Sequence, residues 1–341
     1  MDDSPPTMTH AITSIAELEA CIGAAPTPVK MKIIDHLDAA AAAWIAEAPL
    51  AFVGLGAADG PRVGLAGGAA GFARRTGPTT LAIPLESLDL ATAPEAGMGA
   101  GVLFLIPGIG ETLRANGRVA AVRDGQVEIG VEECFVHCAK ALIRSDFWTG
   151  AAAGAAPTDA PAFLAATRFL ALATMDASGR IDISPKGDPA DLLIRWRDDG
   201  AVLAERPGNR LAFGYRNILE EPRVAALCVA PGASTVLELR GRAAMTTDEE
   251  LRASFVVDGK TPLLATVIHD VSADLRSSPA LERATPWRHA HAASKVDPAA
   301  TLVAHLKLNK TKGVQAVMLR LAANRGLVAK GLAANYKAEL Y

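Results

Sequence analysis

Several residue spacings occur twice along this chain, in the same order. Pro107-Gly108 precedes Gly117-Arg118 by ten residues, and Pro231-Gly232 precedes Gly241-Arg242 by ten. His137 precedes Arg144-Ser145 by seven, and His269 precedes Arg276-Ser277 by seven. Phe52-Val-Gly-Leu55 and Arg62-Val-Gly-Leu65 hold the same places as Phe169-Leu-Ala-Leu172 and Arg180-Ile-Asp-Ile183. A chain that repeats itself this way folds as two like units. The spacings set an N-terminal segment over 1–27, a first unit over 28–150 and a second over 161–288. An Ala/Pro/Gly-rich linker spans 151–160, and an extension without counterpart spans 289–341.

Local patterns say what each unit is. A short helical pattern covers 15–22. A longer helix is expected from Thr27, which caps it, with Pro28 in its first turn. Val29, Ile33, Leu37, Ala41, Trp44 and Ile45 recur at helical spacing, and Pro49 stops it. The period then changes to strands at 50–56 and 62–66 around the turn Ala58-Asp59-Gly60, at 101–106, and at 111–122. The second unit repeats the order, with a helix over 161–168, a strand from Phe169, a turn at 176–179 and a strand from Arg180. Short strands with tight turns point to barrels. The fold class is mainly β with helices (α+β): two six-stranded barrels in tandem plus a helical C-terminal tail.

Charge and cysteines narrow the function. The net charge of −3 excludes a nucleic-acid binder on charge alone. Met1-Asp-Asp carries acid where a secretory leader needs positive charge, no apolar stretch is long enough for a membrane span, and four cysteines show no disulfide framework. A cytoplasmic protein is expected. From His291 onward, eight Lys/Arg stand against Asp297 and Glu339, so the tail is +6 and the rest −9. Val314, Val317, Met318 and Leu321 have helical spacing there. The tail is read as a helix docked on its own acidic body, and its removal as leaving the ligand site intact; contact with a membrane or nucleic acid is the alternative.

Three blocks of the second unit carry a resemblance: Ser184-Pro-Lys-Gly-Asp-Pro189, Glu205-Arg-Pro-Gly-Asn-Arg210 and Arg216-Asn-Ile-Leu-Glu-Glu-Pro222. In the first unit, residues 103–118, Glu132-Glu-Cys-Phe-Val-His-Cys-Ala-Lys-Ala-Leu-Ile-Arg-Ser145 and Trp148 add to it. Together, over about 13–288, these resemble an FMN-binding branch of the pyridoxamine-phosphate-oxidase-like split-barrel family. The resemblance implies FMN at the interface of a homodimer. Here each unit keeps what the other has lost. The first has Ala66-Gly-Gly-Ala-Ala-Gly71 in place of the Ser-Pro-Lys-Gly-Asp block, and the second has His269-Asp-Val-Ser-Ala-Asp-Leu-Arg-Ser277 in place of the His-Cys-Ala-Lys run. A fused pair with complementary losses retains one site of two, as a monomeric pseudo-dimer or within a homodimer.

The expected site follows from what a phosphate dianion needs. Lys186, Arg206 and Arg210 offer positive charge, Gly208 allows close backbone approach, and Asn209 adds a donor. A helix opening at Gly208 or Asn209 and running to Glu220 would add free N–H groups. From the first unit, Thr112, Arg114 and Asn116 alternate along a strand and share a face. His137, Lys140 and Arg144 form one stripe if their run is helical. Cys134, His137 and Cys138 lack a convincing fourth ligand, so no metal is expected. No catalytic residue is assigned. The function implied is an FMN-dependent oxidoreductase acting on a small-molecule substrate, with NAD(P)H a candidate electron source. A non-catalytic flavin or haem binder, or a haem-degrading relative, is the alternative.

Overall fold

The computed structural model describes residues 10–149, 157–198, 200–289 and 294–341. The acidic start and most of the 151–160 linker therefore lie outside the described residues. Two antiparallel sheets dominate. In the first, the strands run in the spatial order Gly60–Gly67, Leu50–Ala57, Gly99–Leu105, Thr112–Arg123, Gln126–His137, Thr80–Pro84, Arg74–Arg75. In the second they run Ile181–Gly187, Phe169–Met175, Arg223–Val229, Thr235–Thr246, Leu264–Ser277, Gly200–Glu205, Ile194–Arg197. Numbered within each copy, the two orders are the same permutation. Each sheet thus shares seven strands, one more than the six expected, and carries one short extra strand, Leu88–Asp89 or Ala11–Ile12. The curled sheets make a split-barrel fold, with a helical region following.

The repeated Gly-Arg pairs mark one shared device. The ladder shifts register between Asn116 and Gly117, and again between Arg240 and Arg242. Such bulges bend a strand and let a sheet curl. The repeated Pro-Gly pairs are the turns before these strands. The match of His137 and Arg144 with His269 and Arg276 does not survive: Arg144 lies in the helix Lys140–Arg144, whereas Arg276 lies in the strand Leu264–Ser277.

Alternation builds the cores. Ala51, Val53, Val102 and Phe104 face the interior of the first barrel; Leu170, Leu172, Ala226 and Cys228 face that of the second. The intervening residues Leu50, Phe52, Leu103 and Leu105 meet Phe169, Ala171, Ala225 and Leu227 in a third core between the sheets. Both faces are buried, so these strands read as continuous apolar runs. Phe52 and Phe169, the residues that open matching motifs, lie 5.5 Å apart between ring centroids across this seam.

The long helix expected from Thr27 is two helices, Thr27–Lys30 and Ala39–Glu47. Between them Ile34 exchanges backbone hydrogen bonds with Cys134, at 3.0 and 2.7 Å, and Asp38 caps the second helix through Ala41 N–H at 2.8 Å. Two sheet-type bonds and a cap outweigh an uninterrupted helical period. Thr27 is the first helical residue and caps nothing. In the tail, Pro298–Leu308, Val314–Ala322 and Arg325–Ala338 are helices. The first docks through Leu306 against Met31, while Val314, Val317, Met318 and Leu321 stay exposed. No helix among the described residues is long and apolar enough to cross a membrane.

Candidate functional site

The seam between the sheets holds a cavity of about 500 Å³. Its walls come from both copies. The helix Lys140–Arg144, which follows the last strand of the first copy, lies on the strand Ile181–Gly187 of the second. A Cβ on Gly187 would stand 2.0 Å from the Ala141 carbonyl oxygen, so only glycine permits this approach. Arg144 closes the contact, its Nε donating to Gly187 O at 2.9 Å and its Nη1 to Pro207 O at 3.3 Å.

Nine of the eleven residues expected at the site line this cavity: Lys186, Arg206, Gly208, Asn209 and Arg210 from the second copy, Arg114, His137, Lys140 and Arg144 from the first. Thr112 and Asn116 are buried but do not line it. His137 ends a strand and is not on the helix, so the supposed stripe is a strand end followed by a helical turn. The helix that runs to Glu220 begins at Phe213, not at Gly208 or Asn209, because Arg210 and Ala212 adopt left-handed φ of 60° and 58°. Its first residues, Phe213 to Tyr215, still line the cavity.

The cations differ in what already holds them. Arg206 is 2% exposed in its side chain. Its Nε lies 2.5 Å from Asp188, and its Nη2 donates to Phe255 O at 2.7 Å. Lys186 lies 2.5 Å from Glu205 and donates to the Tyr215 hydroxyl at 3.1 Å. Arg114 lies 3.0 Å from Asp182, donates to Ile183 O at 2.8 Å and stacks over the Phe135 ring at 4.4 Å. Asn116 joins Asp182 at 3.4 Å, so this carboxylate links the two sheets. Arg210 is exposed, and no hydrogen bond or ion pair holds its guanidinium among the described residues. Asn209 accepts from Leu211 N–H at 3.0 Å, and its buried Nδ2 has no partner among the described residues. Burial, and then the nearby Arg114 and Lys32, hold the His137 imidazole well below its usual range, so it is neutral. Lys32 is buried, and desolvation lowers its ammonium to about 8.

Several residues in or behind the cavity wall escaped the sequence reading. Asp188 and Glu205 sit one or two positions from expected cations, and that adjacency was a usable signal. The tail was expected to stand apart from the ligand site, yet Ala338, Glu339 and Tyr341 line the cavity. Glu339, one of two acids in an otherwise basic segment, was the sequence trace of this. Cys134 lies in the core of the first barrel, with burial raising its thiol, while Cys138 faces the cavity. Among the described residues no group of three His, Cys, Asp or Glu stands close enough to hold a metal ion.

The mirror-related seam is built alike. Arg283 Nε donates to Gly67 O at 3.0 Å, and a Cβ on Gly67 would stand 2.2 Å from Ala280 O. Arg276 and Ser278 both bind Asp89 there, each at 2.5 Å. Arg74 and Arg75 are exposed.

Residues 157–296, which span the seven shared strands of the second sheet, match the family described as pyridoxamine 5'-phosphate oxidase. The second copy is thus a member of the pyridoxamine 5'-phosphate oxidase-like family. Solved structures similar to parts of the chain include HupZ from Group A Streptococcus, at 22% identity, covering 33% of this chain and 88% of that one with a TM-score of 0.27. An F420 reductase matches at 17% identity, covering 35% and 98% with a TM-score of 0.27. HutZ, the heme storage protein from Vibrio cholerae, matches at 14% identity, covering 33% and 89% with a TM-score of 0.24. No curated protein matches the chain.

Proposed function

We propose that this pyridoxamine 5'-phosphate oxidase-like chain binds one FMN in the seam cavity and works as an oxidoreductase on a small-molecule substrate. The observation that carries the reading is a cavity walled by both copies and lined by Arg114, Lys140, Arg144, Lys186, Arg206 and Arg210. Its size and polarity suit a flavin nucleotide, whose phosphate needs positive charge and N–H donors. Gly208 leaves open space on the loop that carries Asn209 and Arg210. Bound FMN would supply the electron-transfer chemistry; the chain contributes position and electrostatics. Lys140, Arg144, Lys186 and Arg210 would hold the charged end, and the neutral His137 would face the ligand without repelling a proton donor. NAD(P)H is the proposed electron source, and the fused pair needs no second chain to form the site.

The blocks that carry Lys186 and Arg206 to Arg210 occur in the second copy and not the first, which supports a stoichiometry of one flavin per chain. A neutral imidazole lining a cavity is also the chemistry of iron ligation, which keeps haem as the second reading. Titrating flavin-free protein with FMN while following fluorescence tests the first reading. Saturation at one equivalent is expected. An absorption spectrum with one intense band of the haem type, and no flavin uptake, would overturn it.

A further inference from the structure

The cations around the cavity fall into two groups. Arg114, Lys186 and Arg206 each carry a resident carboxylate from the second copy: Asp182, Glu205 and Asp188. Lys140, Arg144 and Arg210 do not. Lys140 is 2% exposed, yet its acidic partner is Glu339, in the last turn of the chain described, at 3.3 Å and half exposed. A buried ammonium needs an anion, and the barrels give this one none. Arg144 donates Nη1 to the Leu340 carbonyl at 2.8 Å; its nearest carboxylate, Asp188, stands 4.0 Å away and already holds Arg206. Arg210 has no partner among the described residues. The tail thus supplies the carboxylate of Lys140 and, beside Gly187 O and Pro207 O of the second copy, one of the three carbonyls that hold Arg144.

The tail segment is fastened at defined points. Tyr336 accepts a hydrogen bond from Ala139 N–H at 3.2 Å and donates to Glu111 at 2.9 Å. Asn335 Nδ2 donates to Glu339 at 2.7 Å and aims the carboxylate. The Tyr341 ring lies 5.4 Å from the Arg206 guanidinium. Lys140 and, less closely, Arg210 hold the Glu339 carboxyl below its usual range, behind the hydrogen bond from Asn335.

We infer that Lys140, Arg144 and Arg210 form the phosphate subsite of the cavity, and that segment 336–341 occupies it in the free protein, with the Glu339 carboxylate where a ligand phosphate binds. This deepens the flavin reading and rests on it. Phosphate binding then requires Glu339 to leave Lys140, and Leu340 to leave Arg144. The carboxylate is a built-in competitor for dianions, and it sets how tightly the site takes a phosphorylated ligand relative to its dephosphorylated form.

The test uses the full chain and Glu339→Gln, each titrated with FMN and with riboflavin. Glu339 is half exposed on the terminal segment, and a urea melt of both chains reads the cost of leaving Lys140 without its anion, so that the titrations are made where both are folded. FMN is expected to bind Glu339→Gln roughly threefold to tenfold more tightly than the unaltered chain, as suits loss of one competing ion pair. Riboflavin affinity should not change. Equal or weaker FMN binding to Glu339→Gln, or an equal gain for riboflavin, overturns the inference while leaving the flavin reading intact. If neither chain takes up any flavin, the flavin reading fails. Calorimetry with inorganic phosphate then decides the subsite: tighter phosphate binding to Glu339→Gln supports it, and no difference overturns it.

Discussion

Arg144 and Arg283 make the same bond on opposite sides of the seam. Arg144 Nε donates to Gly187 O at 2.9 Å, and Arg283 Nε donates to Gly67 O at 3.0 Å. Both lie three residues after the alanine whose carbonyl crowds the glycine. The pair reveals a pseudo-two-fold relation that survives where the flanking sequences have diverged. It also makes one seam a control for the other.

Gly187→Ala and Gly67→Ala should both destabilise, since each Cβ would meet a backbone oxygen that cannot give way. Overpacking of this kind costs about 1–3 kcal/mol, or more where backbone must shift. Urea melts should show similar losses for the two. FMN affinity should fall for Gly187→Ala and stay the same for Gly67→Ala.

Arg206 and Arg210 stand four residues apart in one basic block and should behave differently. Arg206→Ala leaves Asp188 buried without its partner, a loss of about 3–5 kcal/mol in stability. Adding Asp188→Asn should restore part of it. Arg210→Ala should leave the melting temperature unchanged and weaken FMN by about 1.5–3 kcal/mol, the range for hydrogen bonds to a charged group. Arg74→Ala and Arg75→Ala, on an exposed strand of the first copy, should change neither quantity. A melt and a flavin titration on each variant check all four.

His137 makes stability depend on pH in a stated direction. Its folded-state value is depressed, so below the unfolded value of 6.5 the unfolded chain binds the extra proton. Stability is complete above 6.5 and falls as pH drops, by up to about 1.4 kcal/mol per pH unit from this group. His137→Gln cannot titrate. Between pH 7.5 and 5.5 its urea midpoint should fall less than that of the unaltered chain.

Lys32 works in another window. Its ammonium, buried and lowered to about 8 against 10.5 unfolded, is held more strongly by the unfolded chain between those values. Stability contributed here therefore rises as pH climbs from 8 toward 10.5. Lys32→Met should be more stable at pH 7 by roughly 1–3 kcal/mol, as for other buried charges replaced by apolar residues. That advantage should shrink through the alkaline window, which melts at pH 7 and pH 10 would register.

Much of the fold was legible because it follows from local chemistry. Strand positions follow from apolar runs bounded by Asp-Gly and Pro-Gly turns. The repeated Gly-Arg pairs flag the bulges. The helix 15–22 appears at its expected place, with Ser14 capping it. The failures came where distant residues intervened. Ile34 pairs with Cys134 and breaks a helix whose apolar period was sound. His269 and Arg276 repeat a spacing by coincidence, because the last strand of the second copy continues where that of the first has turned into a helix.

By itself, the sequence determined that this chain folds as two like barrels, and that the cationic blocks kept by each copy are complementary. Only the tertiary structure decided which of those cations are committed. Arg114 meets Asp182 across 68 positions, and Lys140 meets Glu339 across 199. A charge's availability depends on the carboxylate that folding brings within a few ångströms, and Coulomb energy falls with distance in space, not with separation along the chain. The blocks are therefore readable as basic from the sequence, while the division between structural clamps and a subsite held by the tail exists only in the folded protein.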